Sequence, residues 1–378
     1  MYKRQVYGCG LDGVDTSNAF AELNPDGTVT MYAAWEDHGQ GADMGVLVSS
    51  HETLRQAGIR PEQIKLVMND TKTCPNAGPA GGSRSQVMSG NACRLAAENL
   101  VAAMKKEDGT FRTYDEMVAE GLATKYEGNW VTTFCADHPI DQDTAQGDPF
   151  ATYMYTIFLP EVAVNTETGK VKVEKFTCVA DVGTIMNRLL VEGNFYGGLV
   201  QGIGLALTED FEDLNHDTSL KNCGIPYPND APDDIELHFN ETYRPSGPYG
   251  AAGCGEAPLD APHPAILNAI FNATGARITR IPARPERVLA ALKELEKNGY
   301  DITFAESARA DGGCVMRGND VLQGTPDIMV CDSLTGNIMV KMLSSYTTGG
   351  SFEASGYGYG PGVGEGYEQL VMIVSRAS

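Results

Sequence analysis

Three glycine-marked segments, each lying between periodic stretches, constrain this chain more than any bulk property does. The first is His38-Gly39-Gln40-Gly41, between a strand pattern and a helical one. Glycines let a ligand approach the main chain, and amides at a helix N-terminus attract anions. The same four residues also read as a tight turn with an exposed Gln. The second segment, Gly78-Pro79-Ala80-Gly81-Gly82-Ser83-Arg84-Ser85-Gln86, runs into a helix. Gly81 and Gly82 can expose consecutive amides, and Ser83, Arg84 and Ser85 add donors suited to phosphate oxygens. No Gly-Lys-Ser/Thr is present, so this is not a Walker A loop, and a solvated connection is the other reading. The third, Gly253-Cys254-Gly255-Glu256-Ala257-Pro258-Leu259, sets one carboxylate between glycines with few other charges nearby. Glu256 is therefore a candidate general base, or an exposed loop glutamate.

Around these segments the pattern predicts a hairpin over residues 18–35, turning at Asn24-Pro25-Asp26-Gly27. Met44, Leu47, Val48, Leu54 and Ala57 have helical spacing and are closed by Gly58. A short strand is expected at 64–68, a loop at 70–85 and a helix at 89–105. A second helix begins at Thr113, which has capping-box spacing to Glu116. Strands follow at 152–164 and 170–180, then a glycine-spotted helix at 191–207 and a strand at 235–239. A glycine-rich loop at 249–259, a helix at 264–273 and a last helix from Pro285 to Lys297 complete the pattern. Without a regular βαβ rhythm the fold class is α+β. After Gly299 the texture turns dense in Gly, Ser, Thr and Met, which divides the chain into domains 6–297 and 298–378.

The formal net charge of -22 opposes nucleic-acid and anionic lipid partners. No run of 18 apolar residues suggests a membrane span, and no apolar h-region follows the first residues. The 9 cysteines form no C-x-x-C pair, which predicts reduced thiols, a cytoplasmic location and no cysteine-ligated iron–sulfur cluster in this chain.

Taken in order, the segments carry a resemblance. The run from Trp35 to Gly45 resembles the glutamine–glycine cofactor segment of the xanthine oxidase family of molybdenum hydroxylases. That from Pro75 to Arg84 resembles the family's pterin and pyrophosphate loop. Tyr196-Gly197-Gly198-Leu199-Val200-Gln201-Gly202-Ile203-Gly204 resembles its third cofactor segment, and 253–259 its catalytic loop. Gly128-Asn129-Trp130, Glu209-Asp210-Phe211-Glu212-Asp213 and residues 281–289 look most like the bacterial aldehyde oxidoreductases. The resemblance implies a partial molybdopterin-binding domain holding molybdenum through the pterin, in the cytosine dinucleotide form, with no direct protein ligand to the metal. It implies His38, Gly39, Gln40, Gly41, Gly81, Gly82, Ser83, Arg84, Ser85, Gln201 and Gly255 as cofactor-binding residues. Glu256 would be the base toward a water-derived hydroxyl on molybdenum, converting an aldehyde to an acid or hydroxylating an N-heterocycle. Iron–sulfur clusters, any flavin and the first half of the cofactor cradle are expected in absent domains or subunits, and a homodimer is one arrangement among relatives. Cys254 departs from the family's small apolar residue and reads as inert packing or as a reactive thiol.

The tail resembles something else. Residues 306–313, Arg317-Gly318-Asn319-Asp320-Val321-Leu322-Gln323-Gly324 and 331–338 are similar to phosphate acyltransferases of the type in component C of glycine and betaine reductases. That implies an incomplete α/β acyltransferase-like fragment, joined either by true fusion or by the linking of two gene fragments. The latter reading leaves residues 1–5 with no counterpart in the first family. Acyl-phosphate transfer and a non-enzymatic scaffold are the alternative functions.

Overall fold

Strand-forming residues sort into two four-stranded sheets. Asp15–Leu23 (β2), Val29–Ala33 (β3), Ile64–Met68 (β4) and Lys125–Thr132 (β5) form one, in the order β4-β3-β2-β5. Tyr2–Gln5 (β1), Thr152–Val164 (β6), Val171–Asp181 (β7) and Asp234–Asn240 (β8) form the other, in the order β1-β6-β7-β8. This computed structural model describes residues 2–5, 14–132 and 141–298, except 142, 145, 148, 149, 151 and 214. The chain divides after Asn298, and the acyltransferase-like motifs of 299–378 lie outside the described residues.

The first sheet follows from alternation. Every second residue of β2 faces inward, burying Ala19, Ala21 and Leu23, and the turn at Gly27 (φ 77°) brings Val29 opposite Leu23. The helices Ala42–Leu54 (α1) and Ser85–Met104 (α2) pack onto it, adding Val46, Leu54, Cys93, Ala96 and Leu100 to the core. Tyr114–Ala119 (α3) starts at a complete capping box: the Thr113 side chain accepts from the Glu116 amide, and Glu116 accepts from the Thr113 amide at 2.8 Å.

Around the first sheet, two points differ from the sequence reading. The strand β5, antiparallel to β2, carries Gly128 and Asn129, residues that usually signal turns. Gly128 stands there because α2 crosses directly above it: a Cβ would lie 2.0 Å from the Ala92 carbonyl oxygen and 2.3 Å from the Ala96 nitrogen. Helix α2 also begins four residues earlier than its apolar periodicity suggests, at Ser85.

In the second sheet, β6 pairs antiparallel with β7 and with β1, so Tyr2–Gln5 has a structural partner in Thr152–Tyr155. Arg188–Leu207 (α4) and Pro262–Thr274 (α5) cover the inner face, where Phe176, Phe195, Leu199, Ile266 and Ile270 are buried. The glycines of α4 are a packing device: Cβ atoms on Gly198 and Gly202 would sit 2.4 Å and 2.6 Å from Pro258 and Pro262. The last helix, Pro285–Asn298 (α6), is tied back by Arg287, whose guanidinium lies 3.5 Å from the nearly buried Asp210 carboxylate.

Replacing Gly128 with alanine sets a methyl group against two backbone atoms that cannot step aside. The expected loss is about 3 kcal/mol, whereas Gly193→Ala, in an open position on α4, is neutral or stabilising. Urea unfolding followed by tryptophan fluorescence checks this, because both tryptophans of the chain, Trp35 and Trp130, pack on this first core.

Candidate functional site

The three glycine-marked segments meet at one cleft of about 350 Å³, together with the first turns of α4. His38, Gln40, Gly41, Gly81, Gly82, Ser83, Ser85, Gly255 and Glu256 all line it. The loop before α1 is shaped by Asp37, a residue the sequence did not single out. Its carboxylate accepts from the amides of Gly39 at 2.7 Å, Gly41 at 3.2 Å and Asp43 at 3.3 Å. Burial opposes ionisation of Asp37, but those backbone donors win and hold its carboxyl below the usual range. Gln40 folds over the same loop, accepting from the His38 amide and donating to the Glu36 carbonyl at 2.8 Å. Gly39 is spent on this turn and does not reach the cleft wall.

The start of α2 is different. It has no side-chain cap, and among the described residues the amides of Gly81, Gly82 and Ser83 meet no acceptor in the protein. A Cβ on Gly81 would touch nothing. Consecutive unpartnered N–H groups at an uncapped helix N-terminus form a concave anion site. Asn187 begins α4 on the opposite wall, its side chain accepting from the Leu190 amide at 3.2 Å. The remaining wall is apolar, with Trp35, Met44, Val48 and Leu190.

Glu256 is joined to this anion site. The Ser83 hydroxyl donates to Glu256 Oε2 at 2.9 Å and accepts from the Glu256 amide at 3.1 Å. Ser83 has φ 58°, a left-handed conformation that is uncommon outside glycine. Asn194 on α4 steadies the loop from beneath, donating to the Cys254 carbonyl at 2.9 Å. Cys254 packs against the second core, and burial pushes its thiol up to about 12. Although Cys254 is half-buried and lines the cleft, the scarcity of its thiolate supports the inert reading.

Arg84 and Gln201 are placed differently from most of the other expected cofactor residues. Arg84 is not a free phosphate donor: its side chain is 1% exposed and every N–H faces a protein acceptor. Gln201 is exposed on α4 two turns beyond Asn194 and does not line the cleft. The residues that sequence reasoning missed, Asp37 and Asn194, act through loop backbone. Only the Asn187 cap has a local signal, an Asn ahead of an apolar run. Among the described residues no group of three or more His, Cys, Asp or Glu could hold a metal ion, and no helix is long and apolar enough to cross a membrane.

The molybdopterin cofactor-binding domain model matches residues 2–232, and the chain belongs to that family. Because the match starts at residue 2, the expectation that residues 1–5 have no counterpart is overturned. The chain is 52% identical over 288 residues to an aldehyde oxidoreductase of Megalodesulfovibrio gigas, covering 76% of this chain and 32% of that protein. The crystal structure of the aldehyde oxidoreductase from Desulfovibrio desulfuricans superimposes with a TM-score of 0.73 at 54% identity, covering 77% of this chain and 31% of that one. The chain thus spans about a third of these relatives' length. A separate similarity, 63% identity over 109 residues, covers 29% of this chain and 26% of the glycine/sarcosine/betaine reductase complex component C subunit alpha of Peptoclostridium acidaminophilum.

The raised Cys254 value has a direct readout. Three units above the ordinary thiol mean about a thousandfold less thiolate at pH 8. Iodoacetamide labelling in the native chain, followed by mass spectrometry, is expected to leave Cys254 unmodified, and labelling should become complete on unfolding. The sign also carries to stability. The unfolded chain loses the proton first, so the contribution of this thiol is intact below pH 9 and is lost between 9 and 12.

Proposed function

We propose that the cleft is one wall of a molybdopterin site in a molybdenum hydroxylase that oxidises aldehydes to carboxylic acids, with Glu256 as general base. The observation that carries this is the Ser83 bridge, which places an oriented carboxylate beside three unpartnered amides. The fit is chemical: the amides suit phosphate oxygens, and the apolar wall suits a flat ring system. Bound there, molybdopterin supplies the redox chemistry of the hydroxylation. The protein's residues do the rest. Gly81, Gly82, Ser83 and Ser85 bind the anionic end, His38, Gln40 and Gly41 close the opposite side, and Gly255 leaves the main chain accessible beside the base. Glu256 takes the proton from the attacking oxygen, and the Ser83 hydroxyl keeps the receiving carboxylate turned toward the cleft. The aldehyde assignment leans on the two aldehyde oxidoreductases, while an N-heterocycle is the neighbouring substrate class.

The cofactor reading extends to the cytosine dinucleotide form, held through the pterin. Electrons then pass to iron–sulfur clusters or a flavin in other domains or subunits, alongside the other part of the cofactor cradle. A soluble cytoplasmic complex, as a homodimer, fits that arrangement. In such a complete enzyme, Glu256→Gln is expected to lower aldehyde oxidation by about 10²–10⁴-fold with molybdenum and pterin content retained. Activity within a factor of a few of wild type would sink the assignment. The chain by itself is expected to oxidise no aldehyde.

A second reading leans on the component C similarity over 109 residues, with residues 298–378 as an acyltransferase-type segment. Formation of acyl phosphate by the full chain tests it, and one long sequencing read across the codons for 280–320 separates a true fusion from a join of two genes.

A further inference from the structure

We propose that Asp15 and Arg84 form a buried positioning pair that sets the Glu256 carboxylate through Ser83, an inference that rests on the reading of Glu256 as the base. Buried ion pairs seldom stabilise a protein more than apolar residues of the same size would, so one that is retained asks for a geometric reason. The geometry supplies one. Arg84 is 1% exposed and Asp15 10% exposed at the side chain. Arg84 Nε and Nη2 donate to the two Asp15 oxygens at 2.7 Å and 2.9 Å. Nη1 donates to the carbonyls of Ala77 at 3.0 Å and Pro79 at 2.8 Å, and Nη2 also donates to Thr16 O at 3.2 Å. All five guanidinium N–H groups are committed.

The acceptors explain the shape. Ala77 and Pro79 flank Gly78, which has φ 73° and where a Cβ would lie 2.8 Å from Arg84 Nη2. The loop therefore turns around the guanidinium as around a template, anchored to the first residues of β2. The residue next to Arg84 is Ser83, whose left-handed backbone is unfavourable outside glycine and persists only where its surroundings enforce it. Arg84 enforces it on one side. Gly253 does so on the other, since a Cβ there would lie 2.0 Å from the Ser83 carbonyl oxygen. Held in this way, Ser83 turns its hydroxyl onto both the amide and the carboxylate of Glu256. A lysine at position 84 offers a point charge without the fork and cannot hold four residues at once.

The test is amide hydrogen exchange at Glu256, resolved to single residues in the full chain without cofactor. Its N–H donates to Ser83 Oγ and so reports the bridge directly. Arg84→Lys and Ser83→Ala are each expected to accelerate exchange at that amide by about tenfold, with the Val29–Ala33 amides unchanged, whereas Asp15→Asn, which also leaves a buried charge unpaired, is expected to accelerate it more at Glu256 than at Val29–Ala33. Combining Arg84→Lys with Ser83→Ala should exchange no faster than Ser83→Ala alone, because Arg84 acts through Ser83. If Arg84→Lys does not fold, Gly78→Ala displaces the guanidinium while keeping both charges, and it is expected to show the same local acceleration. Unchanged exchange at Glu256, equal acceleration throughout the first sheet, or additive effects in the double variant would each overturn the proposal. Full activity of Glu256→Gln in the complete enzyme would remove the catalytic meaning of the bridge, yet the exchange result would stand independently, so the two failures are distinguishable.

Discussion

The Arg84 guanidinium is enclosed, and it gives its five N–H groups to Asp15, Thr16, Ala77 and Pro79. Removing either charge would leave the other buried and unpaired, at a cost of about 3–5 kcal/mol, so the two segments it joins are locked together. One is the start of β2, an inner strand of the first sheet, and the other is the loop that enters α2. The lock decides which backbone groups are left over. Carbonyls of the loop turn inward to the guanidinium, and among the described residues the amides of Gly81, Gly82 and Ser83 are left without protein acceptors. An anion site made in this way needs no cationic side chain at its surface. That is why a residue whose type suggests phosphate binding works from behind the wall.

The same logic reconciles the cleft with an acidic protein. A net charge of -22 repels anions at long range, but screening confines that field to a Debye length of about 8–10 Å. Within the cleft the deciding terms are local. At the start of α1 the helix dipole is already answered by Asp37, whose carboxylate takes the amides of Gly39, Gly41 and Asp43. At the start of α2 it is not, since no side chain caps that helix. Three helix starts face the same space; Asp37 and the Asn187 cap answer two of them, and that of α2 is open to a ligand.

Much of the fold was legible because its signals are local. The Asn24–Gly27 turn, the strand Ile64–Met68 and the Thr113–Glu116 capping box all appear where residue chemistry within four positions places them. What was not legible is non-local. The strand β5 hides behind Gly128, a residue chosen for the approach of α2 and not for strand propensity. The role of Arg84 depends on Asp15, 69 residues away, and no spacing rule connects them. Gln201 lies in a glycine-rich run like the other cofactor segments, yet the glycines of α4 that matter, Gly198 and Gly202, serve contacts with Pro258 and Pro262. Glycine marks close approach; it does not say whether a ligand or a proline is what approaches.

How two sheets hold one cleft is the remaining step. His38, Gln40 and Gly41 belong to the first sheet's side, Glu256 to the second's, and neither hydrogen-bond network alone fixes the distance between them. Tyr249 spans the gap. It sits at φ 51°, four residues before Gly253 in the loop that carries Glu256, and its hydroxyl lies 2.6 Å from Thr53 Oγ1 and donates to the Ser49 carbonyl at 3.1 Å, both on α1. A strained residue whose side chain reaches back to the helix that carries the opposite wall fixes register between the halves. Ser83 repeats the arrangement from α2, with φ 58° and its hydroxyl on Glu256. Two left-handed non-glycine residues thus sit at the two ends of the same loop contact, each secured by hydrogen bonds across the sheets. Backbone strain of that kind is tolerated where position matters more than stability, and here it falls on both sides of the one carboxylate that the cleft presents.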